Sequence, residues 1–185
     1  MARFASQFDV PDDLESVPDD LAPEDRWLLA EFQQTMHTVK EAWSNLDIYT
    51  ATQALKTFGT GLLPSHYLEM VKSRLYDDDG AAAWTLHRTV RDFMAAFSPV
   101  CPFFTHHISS TVYGSSAVDV DAFPAPALGE VDHGTEEGAR LCALSHDLQE
   151  FNGQTWAAKK ERGISLNQPI QGVAVPEELA EFEAT

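Results

Sequence analysis

From Leu28 onward the apolar positions recur at intervals of three and four: Phe32, Met36, Val39, Trp43 and Leu46. That is the period of one helical face, and it predicts an amphipathic helix over about 24–45. Pro23 suits a first helical position, and Glu24 and Asp25 fall in the first turn, where the helix dipole favours anions. Ser44-Asn45 ends this helix, and Asp47 can cap the next. The second helix carries Ala51, Leu55, Phe58 and Leu62 on one face. Gly59, Gly61 and Pro64 interrupt it, which predicts a break or kink near 59–64 before the helix resumes to Tyr76 along Leu68, Val71 and Leu75. Asp77-Asp78-Asp79-Gly80 reads as a turn and an anionic cap. A third helix, about 81–98, would then bury Leu86, Val90, Phe93 and Phe97, with the two phenylalanines against the first helix. Ser98-Pro99 and Pro102 separate it from a fourth, about 102–113, which Gly114 can stop.

Four helices joined by short turns, each with one apolar stripe, make a bundle over 24–113. Residues 1–23 combine Pro11 and Pro18 with Asp12, Asp13, Glu15, Asp19 and Asp20, an irregular acidic lead-in. Residues 114–134 read as an extended connection containing the alternating patch Val118-Asp119-Val120-Asp121. A C-terminal subdomain, 135–185, begins with a fifth helix through Leu141, Leu144, Leu148 and Phe151. That helix ends at Gly163, with Lys159, Lys160 and Arg162 in its last turns. Gly172-Val173-Ala174-Val175 is a short strand candidate, and Pro176-Glu177-Glu178 starts a small terminal helix. The fold class is therefore mainly α, a helical bundle with a small helix-plus-strand appendage.

Composition changes this picture in one respect. With 185 residues and 44% apolar content the chain can build a core. Its net charge of −17, however, opposes a nucleic-acid backbone. In molar salt the Debye length falls to about 3 Å and that repulsion nearly vanishes. Lysine is confined to Lys40, Lys56, Lys72, Lys159 and Lys160 while Asp and Glu are plentiful, the balance of a protein adapted to salt; an ordinary acidic domain is the plainer reading. Two cysteines, Cys101 and Cys142, are too few for a disulfide framework or a zinc site and suit a reducing cytoplasm. No run approaches the roughly 18 apolar residues of a membrane span.

Catalytic chemistry finds no footing. Cys101 with His106 and His107 matches no metal spacing, and the consecutive Ser145-His146-Asp147 point their side chains in different directions. Neither catalytic nor metal-ligating residues are assigned, and no cofactor is expected.

The segment Tyr67-Leu68-Glu69-Met70-Val71-Lys72-Ser73-Arg74-Leu75-Tyr76 resembles the Y-L-E-x-V-K-x-R-L-Y signature of the anticodon-binding domain of class I aminoacyl-tRNA synthetases of the valyl and isoleucyl type. Pro23 to Leu29 is similar to their P-E-D-R-W-I-L opening, and Ser98 to Thr105 to the H-P-F-M-P-F-I-T turn. Val118 to Pro124 resembles an extended piece ending in W-P, with Phe123 in place of Trp. Lys159 to Asn167 resembles the K-x-E-x-G-x-S-L-N run of archaeal-type valyl enzymes, and Ala2-Arg3-Phe4 the tail of the N-A-x-R-F helix. The matches keep the family order. Phe58 to His66 departs from the family's W-x-x-F-C stretch, Ser73 replaces a common Pro, and neither class I catalytic signature occurs.

The resemblance implies an anticodon-binding bundle without catalysis of its own, in a parent enzyme that uses ATP. Its partners would be tRNA(Val) and the remaining domains of the same synthetase, with no DNA and no membrane. The implied RNA-facing residues are Arg3, Phe4, Lys72, Arg74, Tyr76, Arg88, Arg91, Lys159, Lys160 and Arg162. Unpaired bases stack on aromatic rings, and Arg or Lys contact the backbone. Other roles stay open: Arg74 can pair with the Asp77–Asp79 run, Tyr76 can be core, and Lys159, Lys160 and Arg162 can simply complement a helix end. An isoleucyl-type domain and a helical adaptor that binds no RNA are the competing functions.

Overall fold

The apolar stripe that begins at Leu28 builds the centre of the molecule. In the computed structural model, which describes residues 2–115, 123–124, 128–165, 168, 170 and 172–183, helix α2 runs Pro23–Ser44, preceded by a one-turn α1, Ala2–Ala5. Trp27, Leu28, Phe32, Met36 and Val39 are all buried along α2. The stripe stops short of its predicted end. Leu46 follows the helix in a left-handed conformation (φ 59°), and its side chain is 84% exposed.

Helix α3, Ile48–Thr57, is capped as predicted by Asp47, which accepts from the Thr50 amide at 2.9 Å. The break or kink expected near 59–64 takes the form of a change of helix type rather than a turn. The chain widens into a π-helical segment, Phe58–Tyr67, and continues without interruption into α4, Leu68–Tyr76. A π-helix bonds each amide one residue further back than an α-helix, so its wider ladder can hold Gly59, Gly61 and Pro64 without a turn. The burial of Phe58, Leu63 and Tyr67 keeps the wide segment on the core.

Asp79 caps α5, Gly80–Phe97, by accepting from the Ala82 amide, and α6, Pro102–Tyr113, ends at Gly114 with φ 65°. Phe93 is buried, and Phe58 bridges its ring to Phe32 on α2. The Phe58 ring lies 5.2 Å from Phe32 and 6.2 Å from Phe93. Phe97 stacks on Phe93 and is half-buried rather than core.

Helix α7, Glu136–Glu161, packs along α2 and buries Leu141 and Leu148. Ahead of it lies a 3-10 turn, Gly129–Val131; the patch 118–121 lies outside the described residues. No strand occurs among the described residues. Gly172 bends the chain at φ 80°, residues 173–176 take no regular structure, and they lead into a 3-10 helix, Glu177–Phe182, in which Leu179 and Phe182 are buried. With no neighbouring strand among the described residues to pair with, Gly172 to Val175 does not become the expected strand.

Candidate nucleic-acid interface

Four helix ends meet around Asp25, whose side chain is fully enclosed. One carboxylate oxygen accepts from the Tyr67 hydroxyl at 2.7 Å, and the other from Arg74 Nη2 at 2.8 Å and the Ala22 amide at 3.1 Å. Arg74 also donates to Glu24 at 2.6 Å and to Asp79 at 2.9 Å. Burial raises the Asp25 pKa, against the lowering effect of the Arg74 and Tyr67 hydrogen bonds. Burial, and then the Asp25 charge, push the Tyr67 hydroxyl well above its usual range. Burial would lower the Arg74 pKa, yet its three carboxylates raise it on balance. Arg74 therefore locks the start of α2 to the end of α4 and the start of α5, through the pairing with Asp79 that its sequence neighbourhood allowed.

Arg88 and Arg91 are likewise engaged within the protein. Arg88 is 5% exposed; it pairs with Asp92 at 2.7 Å and donates to the Leu14 carbonyl. Arg91 pairs with Glu15 at 2.8 Å and Asp92 at 3.2 Å. Beside them His87 Nε2 lies 3.2 Å from the Phe8 carbonyl and Nδ1 lies 3.3 Å from the Tyr113 hydroxyl. The three side chains fasten the acidic lead-in across α5. Its Glu15 carboxylate pairs with both Arg88 at 3.4 Å and Arg91 at 2.8 Å.

The same end of the bundle carries an aromatic chain. Phe4 meets Phe8 edge-on at 5.1 Å, and Phe8 meets Tyr76 at 5.5 Å. Tyr76 is 57% exposed and so is not core. Arg3 is exposed, and its guanidinium has no partner among the described residues. Lys72 lies 3.7 Å from Glu69. The exposed Tyr76 ring offers a face on which an unpaired base can stack.

Lys159, Lys160 and Arg162 sit far along the sequence, in the last turn and at the end of α7, where they complement the helix dipole. The structure thus joins Phe4 to Tyr76 through Phe8 and encloses Arg88. What sequence reasoning missed is the Asp25 junction. Its only sequence signal is that both Asp25 and the pair Tyr67 and Arg74 fall in segments with family-like motifs. Arg26, paired with Glu137 at 2.7 Å, and Arg140, paired with Glu137 and Glu181 each at 2.7 Å, tie α2, α7 and the terminal 3-10 helix together. Among the described residues no group of three or more His, Cys, Asp or Glu is placed to hold a metal ion, and no helix is long and apolar enough to cross a membrane.

Comparison with known proteins agrees with this architecture. Valine–tRNA ligase of Pyrobaculum aerophilum is 32% identical over 188 aligned residues, covering 97% of this chain and 22% of that protein. The Aeropyrum pernix valine–tRNA ligase is 32% identical over 184 residues, covering 95% of the chain and 21% of that protein. The Saccharolobus solfataricus enzyme is 30% identical over 147 residues, covering 79% and 17%. The chain spans about a fifth of the length of these relatives. Residues 25–174 match the family model described as the anticodon-binding domain of tRNA ligase, so the chain belongs to that family.

Proposed function

We propose that this chain is the anticodon-binding part of a valine–tRNA ligase and holds the anticodon of tRNA(Val). In this reading ATP-dependent ligation of valine belongs to a catalytic domain of the same cytoplasmic enzyme, and the chain docks on the enzyme's other domains. The observation that carries it is the similarity to archaeal valine–tRNA ligases over 95–97% of the chain. The Arg3, Phe4, Phe8 and Tyr76 cluster supports it with the chemistry that grips an unpaired base. The relatives named valine–tRNA ligase favour that assignment over an isoleucyl one. The net charge of −17 and the scarcity of lysine support an origin in a salt-accumulating organism.

Binding of valine, isoleucine and alanine tRNA transcripts in molar KCl tests the proposal. The first anticodon base varies among valine isoacceptors, so discrimination must fall on the second and third. Changing either of those should weaken binding by roughly 1–3 kcal/mol, the scale of one lost stacked or hydrogen-bonded base. Equal binding of all three transcripts by the folded protein would defeat the reading.

A further inference from the structure

Helix α6 is built inside out. Its enclosed positions are the small hydroxyl residues Thr105 and Ser109, one turn apart, while Phe103 is 90% and Phe104 56% exposed. A bundle helix ordinarily turns its large apolar side chains inward and its polar ones to water. The inward face is nonetheless fixed, because α6 packs on α5 and the Tyr113 hydroxyl donates to the His87 carbonyl at 3.2 Å. Rolling the helix to bury the two rings would break that bond. Charge marks the same surface. The chain is 22% charged, yet no Asp, Glu, Lys or Arg lies between Asp92 and Asp119. The outer faces of α2, α3 and α7 expose ions such as Glu41, Lys56 and Asp147, whereas α6 exposes Phe103, Phe104 and His107. Aromatic enrichment with depletion of charge is the composition of an interface core, since burying such a face strands no ion.

We infer that the first turn of α6 is a docking surface whose occupant is an uncharged, apolar face of another domain of the same polypeptide. The inference rests on the reading of this chain as one part of a longer synthetase, and it names the surface by which that part is held. The segment between Asp92 and Asp119 supplies no cation for a nucleic acid, so the occupant is protein. The chain spans about a fifth of the length of its relatives, which provides a large tethered body to cover the turn. Tethering gives an effective concentration in roughly the millimolar range, so two rings set in an apolar hollow suffice where free proteins would need a far wider interface. Phe103, almost wholly in water, is the anchor, and Phe104 flanks it.

Hydrogen exchange of the 103–111 amides, compared in about 1 M KCl between this chain alone and the whole polypeptide that carries it, tests the docking. Exchange should be slower in the whole polypeptide. Phe103→Ser removes an exposed ring, so the urea midpoint of the chain alone should stay unchanged. The protection of α6 in the whole polypeptide should fall roughly 30-fold, the effect of losing one aromatic anchor. Equal exchange in the two proteins, protection that the variant leaves intact, or a lowered midpoint of the chain alone would overturn the docking surface. So would light scattering that shows the chain alone to be a dimer which Phe103→Ser dissociates, because a second copy would then be the occupant. Charging of tRNA(Val) with valine by the whole polypeptide is a separate arm. Charging without protection of α6 removes the docking surface and leaves the anticodon reading. Protection that the variant abolishes, without charging, keeps the docking surface and removes that reading.

Discussion

Arg74 and Asp25, 49 positions apart in sequence, meet at 2.8 Å inside a junction of helix ends. The carboxylate is sealed from solvent, and its stability depends on donors that come from three different elements: Arg74, Tyr67 and the Ala22 amide. Two features of the sequence make this possible. Pro23 opens α2 so that Asp25 lies in its first turn, and the uninterrupted π-to-α run delivers Tyr67 and Arg74 on one face, seven residues apart.

Removing the cation should therefore strand a buried charge. Arg74→Ala is expected to cost about 3–5 kcal/mol, the penalty for breaking a buried pair from one side. Urea unfolding in molar KCl measures it. The double variant Arg74→Ala/Asp25→Ala should lose less than the sum of the two single changes, because the stranded charge is gone. Additive losses would mean that the pair is not coupled. Any fall in tRNA affinity of Arg74→Ala should follow the folded fraction.

His87 sets a pH dependence. Burial lowers its pKa below the ordinary 6.5, despite the Phe8 carbonyl and the Asp9 charge, which act in the opposite direction. The unfolded chain thus binds more protons than the folded one below that value, so stability is full above about pH 6.5 and falls as the pH drops towards the folded pKa. His66, lowered by burial as it stacks on Trp156, acts with the same sign. His87→Gln should flatten part of the slope between about pH 7 and pH 5, where one extra proton is worth about 1.4 kcal/mol per pH unit. Urea midpoints across that range decide it; an unchanged slope would place the titration elsewhere.

Phe93 joins α5 to α2 through Phe58. Phe93→Ala should cost roughly 3–5 kcal/mol, the range for a large buried aromatic. Phe97→Ala should cost clearly less, since that ring is half-buried. Equal losses in denaturant unfolding would show that the α5 stripe is buried along its whole length.

The helices were legible because their signals are local. The spacing of apolar residues located α2, α5 and α7, and Asp47, Asp79 and Gly114 marked caps that the structure keeps. The α-helix is interrupted near 59–64 as expected, but its π-helical form was not legible, because Gly and Pro argue against an α-helix and say little about a wider one. The fate of the cations was illegible for a different reason. Arg88 sits on a helix with the pattern of an exposed basic residue, yet its partner Leu14 is 74 positions away, in a lead-in without periodicity. Phe4 and Tyr76 lie far apart in sequence and are joined through Phe8, a contact that no local spacing announces.

Salt should stabilise the fold. The net charge of −17 is spread over a surface whose lead-in alone exposes Asp12, Asp13, Asp19 and Asp20, and screening relieves that repulsion. The enclosed pair of Arg74 and Asp25 is little screened, whereas the exposed Arg140 bridges weaken slightly, so the net effect remains favourable. Thermal unfolding followed by circular dichroism should rise by many degrees between about 0.1 M and 2 M KCl. A flat Tm would remove the argument for salt adaptation.

Two glycines of α7 should respond to alanine with opposite sign. Gly138 lies in the first turn, where its amide donates to the Thr135 hydroxyl at 3.0 Å. A Cβ there would come within 2.6 Å of the Asp132 carbonyl oxygen and 3.1 Å of that of Val131. Those are backbone atoms of the turn that launches the helix, and they cannot swing aside as a flexible side chain would. Gly138→Ala should therefore destabilise by about 1–3 kcal/mol, as overpacking does. Gly153 is exposed in the middle of the same helix, and a Cβ there meets nothing within 4 Å. Gly153→Ala should stabilise by roughly 0.5–1 kcal/mol, by restricting the unfolded backbone and adding helix propensity. Urea unfolding of both variants in the same buffer tests the pair. If Gly138→Ala proved neutral, the turn at 131–135 would not pack against α7 as described; if Gly153→Ala proved destabilising, the exposed face of α7 would be covered by a contact that a Cβ disrupts.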